Sequence, residues 1–253
     1  MRVSTVQEMR GLDAQAGSEY GIPDHLLMEN AGQAVYYVIL REMGVVGRRF
    51  TVLCGPGNNG GDGLVVARKL HSTGRRVQVL MFCDPSSYSG PAKENLVRLE
   101  KGGVEISVSP ESEDVSKSLA GCDAVVDGLL GTGIKGEVAG RIQEVVLLVN
   151  ESGKPVVSID IPSGVDGNTG EVRGAAIRAT RTIAFGLPKR GNLLGPGAEF
   201  GGDLFVSHIS FPPELISKAG IEVEINEPPP LPDTEGDSAS QPAGDVLFVA
   251  GAE

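Results

Sequence analysis

Thr51-Val52-Leu53-Cys54-Gly55-Pro56-Gly57-Asn58-Asn59-Gly60-Gly61-Asp62-Gly63 is the stretch whose reading decides the fold. Its first four residues have the length and composition of a buried strand. Five glycines, a proline and two asparagines then break the run, and Leu64 to Leu70 resumes with helical spacing. A strand, a Gly-rich turn and a helix start, in that order, form an anion site: free N–H groups of the first helical turn point outward, and missing Cβ atoms let a phosphate approach. Gly55-Pro56-Gly57-Asn58-Asn59-Gly60 also satisfies G-x-G-x-x-G, but that pattern alone fits a purely structural turn equally well. Asn58, Asn59 and Asp62 add two amides and a carboxylate on the rim, oxygens that a structural turn does not need.

Working outward, strand-like and helical segments alternate. Strands are expected at 76–82, 104–108, 124–126 and 155–159, with helices at 91–101, 114–120 and 142–150 between them. This alternation predicts an α/β fold, a Rossmann-like three-layer αβα sandwich with a mainly parallel central sheet. Two later runs, 180–185 and 204–209, extend one edge with little helix between them. Upstream, residues 1–43 read as two helices. Ser4-Thr5-Val6-Gln7 fits a capping box, Asp24 caps the second helix and Gly44 stops it. Glu29 and Asn30 interrupt that helix's apolar face and are read chiefly as binding local main chain.

Two further strand ends carry acids and glycines. One is Val125-Val126-Asp127-Gly128-Leu129-Leu130-Gly131-Thr132-Gly133; the other is Ser158-Ile159-Asp160-Ile161-Pro162-Ser163-Gly164. In a doubly wound sheet, ligands bind beyond the carboxyl ends of the strands, where the winding reverses. If the strand at 51 neighbours the strand of Asp127, all three loops share one crevice. Their amide, carboxylate and hydroxyl oxygens suit a hard cation, and a carboxylate not used on it can do acid–base work. Asp166, before Gly167, reads as a turn residue.

Composition sets the outer limits. The chain has 253 residues and a net charge of −11, which disfavours nucleic acid or an acidic membrane as partner. No apolar run approaches the roughly 20 residues of a membrane span, and the N-terminus lacks a signal-peptide core, so a cytoplasmic protein is expected. Cys54, Cys83 and Cys122 lie far apart in apolar segments, as reduced core thiols do. Past 225 the chain turns Pro-rich and acidic. Residues 226–244 read as a linker and 245–253 as the opening strand of another domain, cut off, leaving 1–225 as the main domain.

GPGNNGGDG, LMENAG, VVDGLLGTG and SIDIPSGVDG, in this order, resemble the N-terminal domain of YjeF-type proteins, the NAD(P)H-hydrate epimerases, over about residues 1–220. The tail from Gly244 resembles the start of the ADP-dependent dehydratase domain that follows in bifunctional members. The resemblance implies epimerisation of the R and S forms of hydrated NADH and NADPH (NADHX and NADPHX), and a homodimer. It implies substrate contacts at Asn58, Asn59, Gly60, Gly61 and Asp62, and phosphates wrapped by Gly131, Thr132, Gly133, Ile134, Lys135, Gly136 and Glu137. It further implies a potassium ion held by Asn59, Asp127 and Ser163, and Asp160 at the reacting end, where that carboxylate would move the proton and stabilise a cationic carbon. Arg75, Arg76, Lys189 and Arg190 either meet a 2′-phosphate or face solvent. Two other classes stay open: a nicotinamide-dependent oxidoreductase with Asp84 on the ribose, and a non-catalytic interaction module.

Overall fold

The computed structural model describes residues 1–134 and 136–226. Lys135, all but the first residue of the linker expected at 226–244, and the strand expected at 245–253 lie outside the described residues.

Two helices open the chain, α1 (Val6–Tyr20) and α2 (Asp24–Glu42). The capping box is one residue later than the sequence suggests. The Thr5 hydroxyl accepts from the Glu8 N–H, and the Glu8 carboxylate accepts from the Thr5 N–H at 2.6 Å. Thr5 is the residue with extended backbone, so it occupies the cap, and Glu8 falls at the third helical position. Asp24 does not cap α2 either. Pro23 is the extended residue at that end, and Asp24 is already inside the first turn. Asn30 bonds the loop beyond the sheet, donating to Ser210 Oγ at 2.8 Å, while Glu29 pairs with Arg68 and Lys69.

The remainder alternates as the pattern predicts. β1 (Arg49–Cys54), α3 (Asn58–Ser72), β2 (Arg76–Met81), α4 (Gly90–Lys101), β3 (Glu105–Val108) and α5 (Ser112–Gly121) come first. β4 (Ala124–Gly128), α6 (Gly140–Glu151), β5 (Val156–Ile159) and β6 (Arg181–Phe185) follow. A short helix missed by the sequence reading, α7 (Gly195–Gly201), precedes β7 (Asp203–Ser207), and α8 (Pro213–Lys218) comes after it. Among the described residues the sheet has seven strands, all parallel, in the order β3-β2-β1-β4-β5-β6-β7. The winding reverses between β1 and β4, so these neighbours carry the crevice.

Each face of β1 feeds a different core. Phe50, Val52 and Cys54 pack with α1–α4, whereas Leu53 packs with α5 and α6. This is the two-residue alternation of a strand buried on both sides, which explains its near-continuous apolar run. Leu53 pairs with Asp127 across to β4, and the Gly55 N–H donates to the Gly128 carbonyl at 3.0 Å. β4 runs two residues further than its apolar stretch suggests, so Asp127 lies within the strand and is completely buried.

The β1–β4 contact is close enough to demand glycine at position 55. A Cβ there would stand 1.7 Å from the Leu129 carbonyl oxygen, which belongs to backbone and cannot rotate away. Gly55→Ala is expected to destabilise the fold by at least about 2 kcal/mol in denaturant melts. Gly11→Ala, on α1 where a Cβ meets nothing within 4 Å, should instead stabilise it by about 0.5–1 kcal/mol. Equal effects at the two positions would contradict this packing.

Candidate functional site

The Gly-rich stretch after β1 is helix, not loop. α3 begins at Asn58, so the residues read as a rim form its first turn and a half. Gly57 precedes it at φ +86°, and no side chain caps this end. The first N–H groups therefore point into the cleft with the positive end of the helix dipole behind them. Gly60 and Gly61 answer to packing: a Cβ on Gly60 would lie 1.9 Å from the Gly55 carbonyl, and one on Gly61 2.6 Å from the Met28 methyl. They let α3 sink against β1 and α2, which lowers Asn59 and Asp62 to the cleft floor.

A cleft of about 920 Å³ opens at the carboxyl ends of β1, β4 and β5. Asn58, Asn59, Asp62, Gly131 to Ile134, Glu137 and Asp160 all line it, so the three strand-end motifs do converge. Asp127 and Ser163 lie beneath it, fully buried. A second groove of about 610 Å³, between α2 and β7, contains none of the three motifs.

The layer under the cleft is a chain of oxygens. Asp127 Oδ2 accepts from Ser158 Oγ at 2.8 Å and from the Ser163 N–H at 2.9 Å; Oδ1 accepts from Ser163 Oγ at 2.5 Å. Burial pushes the Asp127 carboxyl above the ordinary carboxylate range, opposed by these hydrogen bonds. Ser163 Oγ accepts from the Leu130 N–H and stands 3.1 Å from the Leu130 carbonyl oxygen, which also takes Asn59 Nδ2 at 2.9 Å. Because the Ser163 proton serves the nearer Asp127 oxygen, Ser163 Oγ and the Leu130 carbonyl are two hard donors side by side. Asn59 Oδ1 is a third, with no hydrogen-bond partner among the described residues. Neutral oxygens around one buried carboxylate fit an alkali cation better than zinc or copper.

Asp160 has a strained backbone, as does Ile209 (φ +44°), which also lines the cleft. The φ of Asp160 is +66°, a left-handed conformation that non-glycine residues seldom adopt. The Asp160 N–H donates to the Ile183 carbonyl, and Asn192 Nδ2 donates to the Asp160 carbonyl. Asp160 Oδ1 accepts from the Phe185 N–H and from Lys189 Nζ, which is 1 % exposed and bonds the Phe185 carbonyl as well. Lys189 is therefore this aspartate's partner, not a 2′-phosphate contact. Arg76 opens β2, at the amino ends of the strands and away from the cleft. Asp84 is also elsewhere: it is exposed and caps its own turn through the Ser86 N–H. Asp166 holds a turn as expected, accepting from the Asn168 and Thr169 N–H groups.

One wall was invisible in the motifs. α1 presents Val6, Met9, Arg10 and Asp13 to the cleft. The available signal was Asp13, an acid four residues after buried Met9 on an apolar helix face. An Arg10 guanidinium nitrogen lies 3.8 Å from where a Gly133 Cβ would stand, beside the 131–137 turn. Burial raises the Asp13 carboxyl to about 6, with Lys189 opposing and Asp160 and Asp24 reinforcing. Asp62 is raised well above its usual range, first by burial and then by Asp160 and Asp13.

The folded protein thus holds the Asp13 proton more tightly than the unfolded chain does. The associated stability is complete below about pH 4 and lost as pH rises through about 6. Asp13→Asn should match the parent near pH 4 and exceed it by about 1–2 kcal/mol at pH 7, allowing for partial exposure. Melts across this range check the sign; a constant difference would rule the coupling out.

Comparison with known proteins agrees with the geometry. Residues 24–191 match the family model described as YjeF-related protein N-terminus. The chain is 46% identical over 253 residues to the bifunctional NAD(P)H-hydrate repair enzyme Nnr of Thermofilum pendens, covering 99% of this chain and 48% of that protein. It is 37% identical over 217 residues to the NAD(P)H-hydrate epimerase of Rhodopirellula baltica, covering 86% and 88%. The crystal structure of yeast ynu0 shares the fold, with a TM-score of 0.76 at 24% identity over 90% of this chain and 97% of that one. The chain spans about half the length of the bifunctional relatives it matches. A doubly wound sheet whose segments after β1, β4 and β5 meet at one cleft, together with these matches, places the assignment beyond the motifs alone: the chain belongs to the YjeF-related protein N-terminus family.

Proposed function

We propose that the chain interconverts the R and S epimers of hydrated NADH and NADPH. The observation that carries this reading is Asp160, a residue of strained backbone whose carboxylate is held by a buried lysine, on the wall of a cleft large enough for a dinucleotide. Strain of that kind persists only where the surroundings enforce it, and it gathers at working sites. The relatives' names point the same way.

The substrate carries a hydroxyl on the carbon beside the ring nitrogen. Loss of that hydroxyl as water, pushed by the nitrogen lone pair, leaves a planar cation, and water returning to the other face gives the other epimer. Asp160 stabilises the cation at the reacting end. Asn58 to Asp62, at the uncapped start of α3, contact the substrate, and the turn Gly131 to Glu137 wraps its phosphates, with Arg10 beside that turn as a phosphate partner. Potassium would be held by Asn59, Asp127 and Ser163 with the Leu130 carbonyl, and would supply charge that fixes the loops. The buried, reduced thiols Cys54 and Cys122 suit a cytoplasmic setting, and a following dehydratase domain accords with the bifunctional relatives. The oxidoreductase alternative loses its ribose acid, because Asp84 is spent on its own turn.

Incubating the protein with one purified NADPHX epimer should yield the equilibrium mixture, followed by NMR or chromatography; no interconversion would refute the reading. Asp160→Asn should lose at least about 100-fold in kcat. Potassium should raise the melting temperature more than choline at equal ionic strength, as expected for binding to the folded state. Asp127→Asn should abolish that difference; its persistence would dismiss the cation site.

A further inference from the structure

Epimerisation makes a demand that Asp160 alone does not meet. The hydroxyl leaves one face of the ring and water adds to the other, so two oxygens on opposite sides need a proton carrier. One must give a proton while the other takes one. Asp160 is built to take: its Oδ1 already accepts from two N–H donors, Lys189 and Phe185, leaving Oδ2 as a second acceptor.

We infer that Asp62 is the second acid–base group, donating the proton to the departing hydroxyl. It lies in the first half of α3, lines the cleft and is 8 % exposed. Its carboxyl has no hydrogen bond or ion pair among the described residues. The carboxyl oxygens are therefore open to the cleft, where a substrate hydroxyl can reach them. Among the described residues no cation forms an ion pair with it, and Lys189 opposes its protonation only from a distance. The charged groups on the cleft wall are Asp13 and Arg10 from α1, Asp24 from α2, Glu137, Asp160 and Lys189, and Lys189 is committed to Asp160. Burial and the nearby Asp160 and Asp13 favour the protonated form of Asp62, the form that can donate.

The step balances without any oxidant. Asp62 gives its proton to the hydroxyl oxygen, the C–O bond breaks with both electrons going to oxygen, and water departs. The nitrogen lone pair becomes the second bond of a C=N⁺ unit. A water on the opposite face then adds its oxygen lone pair to the carbon and loses a proton to Asp160. Asp62 ends as carboxylate and Asp160 as carboxylic acid, and the reverse reaction exchanges these roles.

This inference rests on the epimerisation reading, and the test separates the two. Parent, Asp62→Asn and Asp13→Asn proteins are assayed with one NADPHX epimer across pH 5–9. Asp62→Asn should lower kcat by at least about 100-fold while KM stays within about threefold, because an amide fills the space without a transferable proton. It should melt no lower than the parent at pH 7, since an unpaired buried acid has been removed. Asp13→Asn, which takes a negative charge away from Asp62, should move the alkaline limb of kcat/KM to lower pH. An inactive parent would defeat the epimerase reading itself. An active parent with Asp62→Asn within about threefold in kcat overturns the Asp62 assignment alone. If Asp62→Asn does not fold, an unmoved limb in Asp13→Asn overturns it instead.

Discussion

A single buried carboxylate ties the crevice together. Asp127 sits inside β4, wholly out of solvent, and takes hydrogen bonds from Ser158 on β5 and from both the main chain and side chain of Ser163. Burying an acid is unfavourable unless its oxygens are satisfied, and here they are satisfied by the very segments that must be held in place. The Ser163 hydroxyl passes the constraint to the Leu130 peptide, and the Leu130 carbonyl passes it to Asn59. Three loops from three strands are thereby registered against one another at hydrogen-bond precision.

The registration has a geometric precondition, the closeness of β1 and β4. Gly55 and Gly128 occupy places where a side chain would strike the neighbouring backbone, Leu129 in one case and Asn59 in the other. Glycine in this region is there to let strands and α3 approach, and the exposed amide groups at the start of α3 follow from the same packing. The uncapped helix start and the core packing share one cause.

Above that layer the chemistry is set by unequal surroundings of like groups. Asp160 is bound by Lys189, whereas Asp62 and Asp13 face the same space without an ion pair among the described residues. Acids that line one cleft but are differently partnered have their proton affinities pushed apart. Arg10 and Asp13 come from α1, which precedes the family-matched region, so the cleft is completed by a helix whose sequence carries no motif.

The alternating apolar runs determined the layered α/β architecture and the parallel sheet, because a strand buried on both faces leaves its mark directly in composition. The strand-end motifs likewise named Asn59, Asp127, Asp160 and Ser163 as candidates, because amide, carboxylate and hydroxyl groups among the glycines are not needed for packing. The start of α3 was misplaced because glycines lower helix propensity, and tertiary packing against β1 and α2 overrode that local preference. The partnership of Lys189 with Asp160 and the isolation of Asp62 were beyond any reading of the chain by itself. They depend on which side chains meet across elements 29 and more residues apart, and only the folded arrangement fixes whether a buried charge finds its counterpart.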